Sequence, residues 1–278
     1  MSAPSAGTLK SNILSYLPNT FFRSYWANEG FPVEDGQYAD NDLSTYQNSY
    51  LTEWCRACID AWETFSDGLL IPTIDVLGGS GPPNGAPHNG QQACTIMVGG
   101  LIPTRPFSLT FRNFTFNNLN FPNGQYTTQL RHYNQAISNG ILTQTLSWAR
   151  TWSWTGTING QTDAGISGWI TTPSGPAPGS WTRGQIKSNT SEHTLGSGNY
   201  VAITRNGVNG AMRGYINSNV LTGEYLQAHV QAIAYGFADT FNNWLPNAVW
   251  ETNANGVGIC QVGGAVTGGK ILAGRVNS

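Results

Sequence analysis

Between Tyr46 and Phe65 the apolar residues Tyr46, Tyr50, Leu51, Trp54, Cys55, Cys58, Ala61, Trp62 and Phe65 recur every three or four positions. That is the repeat of one helical face. Glu53, Arg56, Asp60 and Glu63 fall on the opposite side at spacings that allow ion pairs. The pattern predicts an amphipathic helix from Asp42 to about Asp67, stopped by Gly68. A second pattern, Leu226, Val230, Ile233, Phe237, Phe241, Trp244 and Leu245, predicts a helix over 222–245 that Pro246 ends. Its other face carries Gln227, Gln231, Tyr235 and Asn242, neutral polar groups suited to a subunit contact.

From 142 to 158 the pattern changes to period two. Leu142, Leu146, Trp148, Arg150, Trp152 and Trp154 share one parity, while Thr143, Thr145, Ser147, Thr151 and Ser153 share the other. Such alternation predicts a long strand with an aromatic face and a hydroxyl face. Shorter runs at 70–77, 93–101, 107–116, 200–205 and 212–217 also read as strands. Asn206-Gly207 and Asn209-Gly210 supply a turn between the last two, and a Pro/Gly loop spans 78–90. Residues 1–41, broken by Pro4, Pro18, Gly30 and Pro32, read as an extended N-terminal arm. Residues 42–278 read as a single body with a loop-rich insertion near 159–200. The expected fold is mainly β with two long α-helices: an antiparallel, jelly-roll-like β-sandwich carrying an N-terminal arm.

Composition turns this outline toward contacts. Only 10% of the 278 residues are charged, against about 25% in an ordinary soluble domain. Neutral polar side chains and 34 glycines take their place, and such groups meet other protein surfaces at small desolvation cost. The net charge of −2 hides a split. Residues 1–75 hold ten acids and three bases, net −7; the rest hold five acids and ten bases, net +5. One copy's acidic part can therefore steer onto another's basic part.

Candidate chemistry is sparse. No phosphate-binding glycine loop, nucleophile elbow or paired-histidine motif occurs. Cys55 and Cys58 form a C-x-x-C inside a helical pattern, with no second pair and no nearby histidine, and read as buried thiols. Asp75, Asp163 and Glu192 are the carboxylates from which a glycosidase pair would have to come. Glu34, Asp35, Asp40 and Asp42 offer hard oxygens without a calcium-loop spacing. Trp148, Arg150, Trp152 and Trp154 are candidates for stacking on a sugar ring or a base. Arg105, Arg112 and Arg131, interleaved with aromatic residues, are candidates for contact with nucleic acid.

These features predict a non-enzymatic, self-assembling structural protein of virion type, a coat, shell or fibre subunit. Its partners would be copies of itself, with nucleic acid and glycans as further candidates. No cofactor or metal is expected. A carbohydrate-binding module or lectin using exposed Trp is the alternative, and a glycoside hydrolase the lesser one. With no stretch of 18 apolar residues and no signal-like N-terminus, cytosolic synthesis followed by incorporation into a virion or extracellular particle is expected.

Overall fold

The computed structural model of the chain describes residues 3–16, 40–71, 74–79, 89–109, 125–164, 171–172, 175–176, 180–188, 191–218, 226–252, 255–261, 266–271 and 274–277. The helices among them are α1 (Ala6–Leu14), α2 (Asp40–Asp67), α3 (Gln125–Thr151), α4 (Arg205–Gly214) and α5 (Leu226–Trp244). Three of these overturn the reading of the chain as a β-sandwich with an arm. The core is built by helices packed on one another and on one face of a small sheet, with no pair of sheets facing each other.

α3 covers most of the stretch that alternates with period two. Its buried residues include Tyr133, Ala136, Ile137, Ile141, Thr145, Trp148 and Ala149, a helical stripe that runs into the alternation. The hydroxyls that mimic a strand face are instead bonded one turn back. Thr143 Oγ1 donates to Asn139 O at 2.8 Å, Thr145 Oγ1 to Ile141 O at 2.9 Å and Thr151 Oγ1 to Ser147 O at 2.7 Å. Each Thr thus satisfies its own polar group within the helix. The strand begins only at Ser153.

α4 replaces the hairpin expected around Asn206-Gly207 and Asn209-Gly210. Thr204 caps it, its Oγ1 accepting from Gly207 N at 3.0 Å, and Val208 and Met212 are buried one turn apart. The cap and the apolar pair outweigh the turn preference of the two Asn-Gly steps.

α1 replaces the first part of the arm. Ser5 caps it, its Oγ accepting from Thr8 N at 3.0 Å, and Leu9 and Ile13 are fully buried. Residues 17–39 lie outside the described residues. α1 seats on α5 at Gly236, where a Cβ would stand 2.5 Å from Ile13 Cγ1 and 2.7 Å from Ile13 N. Only a residue without a Cβ permits that approach.

The strands are β1 (Leu69–Ile71), β2 (Ile74–Gly79), β3 (Asn89–Gly99), β4 (Ile102–Pro103), β5 (Ser153–Ala164), β6 (Thr171–Thr172) and β7 (Gly175–Pro176). They continue with β8 (Ser180–Ser188), β9 (Ser191–Thr194), β10 (Val249–Thr252), β11 (Asn255–Gln261), β12 (Val266–Ile271) and β13 (Gly274–Asn277). β4-β1-β13-β10-β9 form an antiparallel sheet, β11-β12-β2-β3-β5-β8 close a barrel, and β6 and β7 pair alone.

Sheet and barrel are one structure. Every strand of the sheet runs on, across a break of a few residues, into a strand of the barrel in the same order. The register also carries across: Leu70 opposes Ile102 in the sheet, and Asp75 opposes Met97 in the barrel, with equal offset. β5 has no counterpart in the sheet. It closes the barrel by pairing with β3 along its length and with β8 from Gly160 to Ala164. The insertion expected near 159–200 therefore contributes β5 through β9, and the 78–90 loop is reduced to 80–88, which lie outside the described residues.

The helices pack around α5. Trp62 of α2 stacks on Phe241 at 5.1 Å and meets Trp244 at 5.1 Å and Phe237 at 5.4 Å. Trp148 of α3 meets Phe241 edge-on at 5.1 Å. Below them Leu69, Ile71 and Trp250 present the buried face of the sheet, and Trp250 meets Trp152 at 5.7 Å.

Replacing Gly236 by Ala tests this packing. The substitution should favour an isolated helix by about 1 kcal/mol, yet the clash with the backbone of Ile13 predicts a net loss of roughly 1–3 kcal/mol. Urea unfolding of Gly236→Ala beside wild type measures it, and an unchanged or raised midpoint would mean that α1 is not seated there.

Candidate contact surface

Most of the polar groups that could serve a site are already engaged within the fold. Asp239 on α5 is the centre of one cluster: Tyr16 donates to its Oδ2 at 2.5 Å, and Arg205 donates through Nε to Oδ1 at 2.7 Å and through Nη2 to Oδ2 at 3.0 Å. The guanidinium of Arg205 lies over the rings of Tyr16 at 5.3 Å and Tyr235 at 5.8 Å. Burial pushes the Asp239 carboxyl up, but the hydrogen bonds from Arg205 and Tyr16 outweigh it and hold it below its ordinary range. The same hydrogen bond pushes the Tyr16 hydroxyl up. This cluster ties α1, α4 and α5 together.

Three of the four α5 residues expected to meet another subunit also make hydrogen bonds within the chain. Gln227 accepts from Arg213, Tyr235 donates to Asn206 Oδ1 at 3.0 Å, and Asn242 donates to Ile203 O at 3.0 Å. Gln231 is exposed. Gln227 and Asn242 are exposed as well, so this face of α5 keeps surface open to solvent beside its contacts with α4 and the segment leading into it.

The stacking candidates are core residues. Trp148 and Trp152 are at most 1% exposed and Trp154 is 8% exposed. Trp152 Nε1 donates to Leu195 O at 2.8 Å, and Trp154 packs on Trp250 at 5.2 Å and His193 at 4.5 Å. The three turn inward in different ways: α3 presents Trp148 to Phe241 of α5, while Trp152, just after α3, and Trp154 of β5 both pack on Trp250. The carboxylates considered for glycoside chemistry are dispersed. Asp75 opposes Met97 and Asp163 opposes Asn89 on the same strand β3, about 26 Å apart at 3.3 Å per residue, and Glu192 belongs to the sheet.

Buried titratable groups are held neutral. Burial pushes the Cys55 thiol up to about 12 and Cys58 well above its ordinary value, so neither free thiol is a thiolate at neutral pH. His229 on α5 shares a hydrogen bond with the Tyr133 hydroxyl of α3, and burial pulls it down to about 3. Burial also lowers His193. Among the described residues no three His, Cys, Asp or Glu side chains come together as a metal site.

What remains open to solvent is the outer face of the sheet. β1 alternates, with Leu69 and Ile71 inward and Leu70 outward. Leu70 is 37% exposed and its cross-strand partner Ile102 is 50% exposed, so the two form an apolar pair on the outer surface. The register continues this row to Arg275, Glu251 and Glu192.

Two exposed arginines, Arg150 and Arg105, belong to segments that adjoin β4. On one side Gly100, with φ +62°, turns the chain between β3 and β4; its N–H donates to Trp152 O, and Leu101 N–H donates to Ala149 O, both at 2.7 Å. This docks the C-terminus of α3, which carries Arg150, on the turn before β4. On the other side Thr104 N–H donates to Gly68 O at 2.8 Å, and the stem of Arg105 packs against Gly68. Both arginines are exposed, and neither has a carboxylate within ion-pair distance among the described residues. Of the other nucleic-acid candidates, Arg131 falls in the first half of α3 and Arg112 lies outside the described residues. Leu70 and Ile102 were missed as site residues. An isolated Leu and Ile in a short run read as core, and only their pairing on an outward face distinguishes them.

No family model, curated protein or solved structure matches the chain. Among the described residues no helix is long and apolar enough to cross a membrane.

The buried histidines give a pH test. Their pKa values lie below the unfolded value of about 6.5, so their contribution is complete above pH 6.5 and is lost as pH falls toward the folded value, about 3 for His229. Stability should fall below pH 6.5 with a histidine contribution from His229 approaching about 1.4 kcal/mol per pH unit. Denaturant titrations at a series of pH values should show a shallower slope in a Tyr133→Phe, His229→Leu double variant. An equal slope would remove His229 from the account.

Proposed function

We propose that the protein is a structural subunit that works through contacts with copies of itself, of the kind that forms a virion shell or a fibre. The observation that carries the reading is the exposed Leu70–Ile102 pair near Arg105, which has no carboxylate within ion-pair distance among the described residues, on a chain whose first 75 residues carry −7. An apolar pair on a sheet face that is left facing water is the make-up of an interface core. The low charge of the rest of the chain supports the same reading.

The proposal is of a non-enzyme. Its support is that the described titratable groups with clear pKa shifts serve packing or intramolecular ion pairs, and that Asp75 and Asp163 stand opposite well-separated residues of β3. The lectin alternative rested on exposed Trp148, Trp152 and Trp154, and their burial removes its residues. On this reading the protein belongs to a virion or an extracellular particle.

Light scattering and negative-stain microscopy of the purified protein test the proposal. Large symmetric particles or filaments are expected at micromolar concentration. A monomer at every concentration up to solubility would overturn it.

A further inference from the structure

Resting on that reading, we propose that the Leu70–Ile102 pair is the centre of an isologous contact, in which it meets the same pair of a second copy with each Leu70 over the other copy's Ile102. Leu70 and Ile102 oppose each other across β1 and β4, and both are exposed. A two-fold axis running along the strands between β1 and β4 exchanges their positions. Two large apolar side chains of one copy then cover two of the other, and all four leave water together.

Charge selects this two-fold from the alternatives. The row that holds the pair continues through the register positions of Arg275, Glu251 and Glu192, each a strand further across at about 4.8 Å per strand. An axis running across the strands would set every one of these positions against itself, arginine on arginine and glutamate on glutamate. An axis along the strands but closer to β13 that still covers the pair would set Leu70 or Ile102 against one of the three charged positions. Each of those arrangements takes a charge out of water without a counter-charge, and that outweighs the return from so small an apolar contact. The axis between β1 and β4 leaves the three charged positions outside the overlap.

The ends of the two strands complete the match. Asp67 and Arg105 are both exposed; Asp67 precedes Gly68, and Arg105 follows Thr104, whose N–H donates to Gly68 O at 2.8 Å. A Cβ on Gly68 would stand 2.7 Å from Arg105 Cβ, so the stem of Arg105 lies over Gly68, two residues from Leu70. The exchange that puts Leu70 over Ile102 brings each Arg105 toward Asp67 of the second copy, which gives the four apolar side chains a rim of complementary charge. An isologous contact closes on itself, so this one pairs copies, and other surfaces extend the pair into a shell or fibre.

The test uses the full chain and sedimentation velocity over a concentration series. Leu70→Glu and Ile102→Lys, each alone, should raise the concentration needed for association by about tenfold or more. An equimolar mixture of the two variants should restore association to near the wild-type concentration. In the mixed pair the introduced carboxylate of one copy faces the introduced ammonium of the other, while the unchanged Ile102 and Leu70 face each other. Arg105→Glu should weaken association more at low salt than at high salt. Circular dichroism of each variant should match wild type, as all three positions are exposed. The milder Leu70→Thr and Ile102→Thr keep a strand-favouring side chain and should weaken association in the same direction. Variants that associate like wild type, or a mixture no better than either variant alone, would overturn this contact while leaving the proposed function standing. Protection of Leu70 and Ile102 from hydroxyl radicals in dilute, dissociated wild type would assign their cover to the chain itself and overturn it too. A wild-type chain that never associates overturns both proposals.

Discussion

The structure depends on burying one side of α5. Val230, Ile233, Phe237, Phe241 and Trp244 on that helix are at most 6% exposed, and every other described helix reaches it. α2 brings Trp62, α3 brings Trp148 and Tyr133, α1 fits Ile13 against Gly236, and α4 brings Arg205 to Asp239. Aromatic rings supply most of this contact area, which a chain with so few charges needs in order to hold a unique core. Polar links such as Asp239 with Arg205 and Tyr16 add to this packing, whereas the buried indole N–H groups of Trp54, Trp148, Trp244 and Trp250 have no hydrogen-bond partner among the described residues.

This core determines what the rest of the chain can do. With its inner face closed by the helices, the sheet has one face left for solvent, and the C-terminus of α3 fixes the kink at Gly100 that turns Ile102 outward. Strands too short for an independent sheet extend beyond it into a barrel closed by β5. Closure removes the open edges that long strands would otherwise present. The apolar faces of the helices thus meet one another, and Leu70 and Ile102 are exposed on the outer sheet surface.

Much of the helical framework was legible in the chain. The apolar stripes of α2 and α5 are long and regular and free of Pro, and both helices lie where the spacing puts them, within a few residues at the start. α3 was hidden because a period of two and a period of 3.6 share positions over short windows, and Thr reads as a strand former although its hydroxyl can return to the helix backbone. α4 was hidden because Asn-Gly steps signal turns, and the cap at Thr204 is a single residue. α1 was hidden by its brevity, with two apolar residues buried in nine. The surface was legible only in part: the charge split and Arg105 and Arg150 stand out in the chain, whereas the outward pairing of Leu70 with Ile102 needs the register of β1 and β4.

Among the described residues four large apolar side chains are exposed, Leu70 and Ile102 paired on the sheet, Val201 bonded through its N–H to Thr151, and Tyr215 at the end of α4. Hydroxyl-radical footprinting read by mass spectrometry reports on all four at once, in dispersed and in assembled protein. The account predicts that assembly protects Leu70 and Ile102 while Val201 and Tyr215 stay reactive. Protection of Val201 and Tyr215 with Leu70 and Ile102 unchanged would contradict it and place the contact on the helices.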